Sequence, residues 1–365
     1  MSKRYPGGFV SKSPVAPTTT AASGVWTLEQ ATQYIQLGTW PLPISPAIAV
    51  AHTTSPYVSV YPWVSGFGTK YADPTTLPTG NGFGVTFNIS NTAIAVAHAT
   101  TPFVSVYPWY NGFGTKYSNP ATLPTGQGNG VTFNQQNTVV AIAHTTTPFV
   151  SAYPWSNGIG TKYTNPATLP AGTGQSVAFN AAGDTVAVAH ATTPFVSVYP
   201  WSSGFGTKYA NPATLPASTG NGVTFNSAGD TLAVAHATTP FVSAYPWSAG
   251  FGTKYTNPAT LPASTGRSVA FTPAGSTIAV AYDGTPFVST YPWSAGFGTK
   301  YTNPATLPTG NGNGVSFNST GNVIAVAHVT SPYVSAYPWS AGFGTKYTNP
   351  STLPTGTGGG IAFSN

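Results

Sequence analysis

The chain has 365 residues, 41% of them hydrophobic and only 4% charged, with 41 glycines, 35 prolines and no cysteine. The absence of cysteine excludes disulfides, thiolate catalysis and Cys-ligated zinc, and no apolar run approaches the roughly 18 residues that span a bilayer, so no membrane insertion is expected. The net charge of +6 comes from 11 basic and 5 acidic residues, with no basic run beyond Lys3 and Arg4, which leaves no charged stripe for nucleic acid.

The chain divides into residues 1–43 and residues 44–365. No continuous apolar segment follows the basic start, so no signal peptide is expected. Residues 6–25 are mainly Pro, Thr, Ser, Ala and Gly, the composition of an extended arm without a core of its own. "TLEQATQYIQLG" then predicts a short helix. Thr27 and Gln30 are spaced as a capping box, Leu28, Ala31, Tyr34 and Ile35 form an apolar stripe, and Gly38 stops it. Trp26 and Trp40 flank it. This arrangement resembles N-terminal segments of phage virion proteins. The resemblance implies that residues 1–43 fasten the chain to other virion structural proteins, with Phe9, Trp26, Leu28, Tyr34, Ile35 and Trp40 as anchoring residues.

From Ile44 to Asn365 the sequence repeats every 46 residues, seven times. Tyr-Pro-Trp ends at Trp63, Trp109, Trp155, Trp201, Trp247, Trp293 and Trp339. Each unit holds four short runs of strand character, such as "GVTFN" (222–226), "TLAVAH" (231–236), "FVSAYPW" (241–247) and "FGTKY" (251–255), separated by turn residues. Four strands per 46 residues is the content of a β-propeller blade. The fold class expected is therefore all-β, a seven-bladed β-propeller of four-stranded blades. Alternation puts Leu232, Val234, Tyr245 and Trp247 on a bulky face and Ala233, Ala235, Val242 and Ala244 on a small one. Neither face can be buried by a single blade, so the ring is the stable unit. The first unit lacks a leading "GVTFN", and "GGIAFSN" (359–365) supplies it, so the last strand is expected to close the ring beside the first.

"GVTFNSAGDTLAVAHATTPFVSAYPW" is similar to WD-type propeller repeats, although Tyr-Pro-Trp stands in place of Trp-Asp and the Gly-His signature and buried Asp network are missing. With "NPATLPTGNGNGV" between blades, the pattern looks more like propellers encoded by tailed bacteriophages. The resemblance implies a non-enzymatic virion structural protein, tail-associated or on the capsid surface, in contact with the host surface or its glycans. An alternative from another class is a carbohydrate-binding propeller lectin, with aromatics such as Tyr71 or Tyr117 stacking on sugars between blades.

Few residues invite chemistry, and nothing calls for a cofactor or metal. "GFGTK" has the wrong spacing and setting for a P-loop. Lys70, Lys116, Lys162, Lys208, Lys254, Lys300 and Lys346 recur at one position; they read as guards of an outer strand edge or as a cationic rim. His52, His98, His144, His190, His236 and His328 also share one position, the end of the second run, and read as hydrogen-bonded strand-end histidines. Glu29, Asp73, Asp184 and Asp230 are scattered, leaving no acid/base pair for glycoside hydrolysis, and no Gly-x-Ser-x-Gly elbow occurs. The sixth unit breaks the symmetry: Arg267 stands where others have Asn, Gln, Phe or Gly, and Tyr282-Asp283 replaces His-Ala, His-Thr or His-Val. Arg267 and Asp283 are expected on one face, as a surface ion pair or, with Tyr282, as a candidate ligand or docking site.

Overall fold

The computed structural model describes Thr27, Gln30 and residues 45–364. The chain divides into two units, Met1–Ser45 and Pro46–Asn365. In the first, the Thr27 N–H donates to Gln30 Oε1 (3.0 Å) and the Gln30 N–H to Thr27 Oγ1 (3.2 Å), the reciprocal bonds of the expected capping box. Phe9, Trp26, Leu28, Tyr34, Ile35 and Trp40 lie outside the described residues.

The second unit is a seven-bladed β-propeller. It contains seven antiparallel sheets, each built of an inner, a middle and an outer strand, in chain order in six of them. In the blade of Trp247 these are β12 (Gly220–Phe225), β13 (Thr231–His236) and β14 (Val242–Pro246), paired Val223↔Val234 and Val234↔Ser243. The closing blade is made from both ends of the repeat region. Here β21 (Gly358–Phe363) pairs with β1 (Ala47–His52), which pairs with β2 (Val58–Pro62). Val50 faces Ile361, the Ala47 N–H donates to Ser364 Oγ (2.8 Å), and the Ser364 N–H returns to the Ala47 carbonyl (2.9 Å). The expected closure is thus formed.

Each blade has three strands where four were expected. The fourth run is fastened to the outer strand at separate points only. In the Trp247 blade, Trp247 and Phe251 form an isolated bridge, the Gly252 N–H reaches the Pro246 carbonyl (2.8 Å), and the Tyr255 N–H reaches the Ala244 carbonyl (2.9 Å). The two acceptors are two residues apart and the two donors three, so the pairing slips by one residue and no ladder continues.

The core lies between blades. Ala187, Ala189, Val196 and Val198 of one blade receive Val223, Phe225, Leu232, Val234, Tyr245 and Trp247 of the next. The closing blade repeats the arrangement, with Ile48, Val50, Tyr61 and Trp63 against Ala325, Ala327, Val334 and Ala336. The Tyr245 hydroxyl donates to the Thr214 carbonyl in the preceding connection (2.9 Å), which satisfies its polar end at the edge of this core.

The tightest backbone contact explains an invariant of the repeat. Phe149 has φ 69°, and its carbonyl accepts the His144 N–H (3.0 Å). A Cβ built on Gly174, at the start of the next inner strand, would lie 2.2 Å from that carbonyl oxygen. Gly174→Ala is therefore expected to lower the free energy of unfolding by about 2–4 kcal/mol, read from urea denaturation; a change within error would show that the two backbones separate freely.

Candidate functional site

The inner strands surround a central channel, and one feature recurs where each begins. In the blade of β15 (Gly266–Phe271) and β16 (Thr277–Tyr282), Gly266 pairs with Tyr282 and Ser268 with Ala281. Arg267 is the extra residue of a β-bulge. A bulge redirects the side chain of its extra residue, and here it presents Arg267 to the mouth of the channel. The same register shift occurs in all seven blades. The bulged positions around the ring are Phe83, Asn129, Gln175, Asn221, Arg267, Asn313 and Gly359, and all seven line one cavity.

The amides on this ring are held in place. Asn129, Asn221 and Asn313 each donate through Nδ2 to the carbonyl of the next blade's first glycine: Gly174 (2.8 Å), Gly266 (2.7 Å) and Gly358 (2.8 Å). Each bond crosses a blade boundary; at Asn221 and Asn313 it leaves the amide oxygen as an acceptor with fixed orientation, while Asn129 Oδ1 accepts from Gln127 Nε2 (2.8 Å). Asn221 and Asn313 stand on the two sides of Arg267.

Arg267 and Asp283 form the expected pair. Nε lies 3.0 and 3.1 Å from the two carboxylate oxygens, and Nη2 lies 2.6 Å from Oδ2. The side chains are 44% and 20% exposed, respectively, so the pair adds about 0–1 kcal/mol to stability. Its effect is positional: Asp283 fixes the plane of the guanidinium through the Nε–Nη2 edge and leaves the Nη1 side for another partner. Tyr282 is fully buried behind the pair, its hydroxyl 2.8 Å from Ser289 Oγ.

The other repeated candidates are structural in their contacts. Each of the six histidines is fully buried with Nε2 2.9–3.0 Å from a serine hydroxyl of the outer strand, as in His236–Ser243 (3.0 Å). His52 also donates through Nδ1 to the Thr54 carbonyl (2.8 Å), so its Nε2 accepts from Ser59. Burial pushes all six imidazoles down from 6.5 to about 4. The lysines lie along the fourth run, half-buried, with Lys70 against Asp73 and Lys116, Lys162, Lys208, Lys254, Lys300 and Lys346 against the asparagine three residues on. Burial lowers the pKa of Lys116, Lys162, Lys208, Lys254, Lys300 and Lys346. Tyr71 and Tyr117 pack edge-on against Trp109 (5.1 Å) and Trp155 (5.2 Å) of the following blade. They therefore belong to the blade junction.

No protein-family model matches the sequence, and no curated protein is significantly similar to it. Among solved structures, the ring is similar to a protein of Bacteroides uniformis proposed to be a 6-phosphogluconolactonase (13% identity, 88% of this chain and 100% of that one, TM-score 0.65). It is also similar to the periplasmic gluconolactonase of Pseudomonas aeruginosa (14%, 88% and 99%, TM-score 0.65). The β-propeller domain of Cps50 (Swd1) from Myceliophteria thermophila matches less of it (12%, 75% and 90%, TM-score 0.53). The likeness is one of fold. It supports the WD-like seven-bladed ring and corrects the rest of the family reading. The proteins reproduced over nearly their whole length include ones named for sugar-lactone chemistry, and the virion expectation is withdrawn. The expectation of a non-enzymatic protein goes with it, because the missing motifs exclude phosphate-loop, glycosidase and serine-elbow chemistry and nothing wider.

The amide ring and Phe83 were not singled out from the sequence. The available signal was the second position of each inner strand, where side chains change from blade to blade between residues that scarcely vary.

The histidines give this site's surroundings a pH dependence. Between pH 6.5 and about 4 the unfolded chain takes up protons at six imidazoles that remain neutral in the ring. Stability is complete above 6.5 and falls as the pH drops, with a slope approaching about 8 kcal/mol per pH unit. Thermal melts across this range should show it. His236→Tyr, which copies the Tyr282–Ser289 pair, should fold and make the slope shallower by about one proton; an unchanged slope would remove the histidines as its origin.

Proposed function

We propose that the channel mouth binds small sugar-derived acids and their lactones. The observation that carries this reading is Arg267, projected by the bulge into a shared cavity, held in plane by Asp283 and flanked by oriented amides. A guanidinium recognises a carboxylate or phosphate through paired N–H donors, and the same donors can hydrogen-bond a lactone carbonyl. The asparagine oxygens take hydroxyl protons, which gives the site affinity for a polyhydroxylated chain beside the charged group. The fold shared with proteins named for gluconolactone chemistry supports the same ligand class.

The test uses the full chain with gluconate and 6-phosphogluconate in calorimetric titration, and with glucono-δ-lactone in a pH-stat that follows ring opening. Saturable binding is expected. Arg267→Ala should weaken it by about tenfold or more, and Asp283→Asn by less, because Asn still holds one edge of the guanidinium. Lactone opening faster than in buffer, and slowed by the same substitutions, would add turnover to binding. Equal titrations for wild type and Arg267→Ala would overturn the assignment of the mouth.

A further inference from the structure

The bulged ring is uneven in a way that the charge alone does not explain. In ring order the positions run Gly359, Phe83, Asn129, Gln175, Asn221, Arg267, Asn313 and back to Gly359. Phe83 is the sole aromatic among them and stands across the mouth from Arg267, with at least two blades between them on either side. It is partly exposed, and among the described residues no aromatic ring packs on it, whereas the phenylalanines at the inner strand ends, such as Phe87, lie edge-on against a tryptophan (5.5 Å).

The backbone beside Phe83 is closely packed. A Cβ on Gly359 would lie 3.1 Å from Phe83 Cα, and one on Gly360 would lie 2.7 Å from the Phe83 carbonyl oxygen. The start of the closing strand therefore approaches β3 (Gly82–Phe87) through glycine backbone at these two positions, which contribute no side chain beside Phe83. The cavity has a polar arc of Asn221, Arg267 and Asn313 on one side and the aromatic side chain of Phe83 on the other.

We infer that Phe83 is the specificity-determining residue of this mouth, a stacking platform that favours a ring-closed sugar over the open-chain acid. The inference rests on the reading of the mouth given above. A pyranose or δ-lactone ring presents a flat C–H face that packs on an aromatic surface while its substituents meet polar partners. An open chain has no such face and can use only the Arg267 arc. Preference for the closed ring also means that a hydrolysed product loses half of its contacts and leaves.

The experiment titrates the full chain with two probes that carry the same phosphate, glucose 6-phosphate as the closed ring and 6-phosphogluconate as the open chain. The wild type should bind the closed ring more tightly. Phe83→Ala, checked for an unchanged melting curve, should weaken glucose 6-phosphate by about 3- to 10-fold and 6-phosphogluconate by less than about twofold, and Phe83→Tyr should restore the difference. If Arg267→Ala weakens both probes while Phe83→Ala weakens both equally or neither, the platform is refuted and the mouth stands. If the wild type binds neither probe, or Arg267→Ala changes neither, the mouth is refuted and the platform with it.

Discussion

The junction between neighbouring blades is the contact on which the rest of the molecule depends. Each blade lays a bulky face, exemplified by Leu232, Val234, Tyr245 and Trp247, onto the alanine and valine face of the blade before it. The alanines are small for a reason: they are fully buried beneath the partner's aromatic and aliphatic side chains, and added methyl groups in so close a packing force strain of about 1–3 kcal/mol. The aromatic side of the junction is a chain of edge-to-face contacts. Trp247 meets Tyr209 of the preceding blade at 5.1 Å and Phe251 of its own at 5.1 Å. Because every blade is both donor and receiver in this contact, none is stable without the next, and the series must return to its start. Closure by β21 on β1 follows from that need.

The same constraint dictates where variation can occur. Along an inner strand, the first glycine sits under a carbonyl of the previous blade and the third residue lies against the next inner strand. In β12 a Cβ on Gly222 would be 3.0 Å from Ser268 Cα. Where the third residue is Ser176 or Ser268, its hydroxyl accepts the N–H of Val223 or Val315 at 3.3 Å across the boundary. The fourth and sixth residues belong to the junction core. The second residue, ejected by the bulge, is outside the junction core, although an asparagine there also bonds across the boundary. Chemistry can be placed there without disturbing the packing, and it is there that the chain departs from its own repeat.

Much of the fold was readable because it follows from spacing. The 46-residue period, the alternation in "TLAVAH" and the missing first strand together specified the blades, their two faces and the closure. The fourth strand was over-read because its composition suits a strand, while the one-residue slip between Ala244–Pro246 and Gly252–Tyr255 is a matter of register that composition does not express. The site was half readable. Arg267 and Asp283 stood out as charges in a chain with few, and their pairing follows from their places at adjacent strand ends. The amides did not stand out, since asparagine is common in every connection and only the bulge separates Asn221 from the rest. The seven lysines and six histidines recur at fixed positions, and such recurrence in a packed ring marks a part that the fold requires.

The sixth blade shows how one unit can change while the ring remains whole. Tyr282 takes the place of a histidine, yet its hydroxyl reaches Ser289 at 2.8 Å as His236 Nε2 reaches Ser243 at 3.0 Å. Asp283 takes the place of an alanine, yet its N–H still meets the Thr265 carbonyl at 3.0 Å, as the Ala237 N–H meets Thr219 at 3.1 Å. Gly284 follows at φ 78°, and its N–H donates to Asn311 Oδ1 of the next connection at 3.2 Å. Backbone register is thus preserved through three altered positions, and the net alteration is one carboxylate beside one guanidinium at the mouth. Seven equivalent positions around an axis would give a small ligand seven equal ways to bind. Arg267 on one side and Phe83 on the other remove that equivalence.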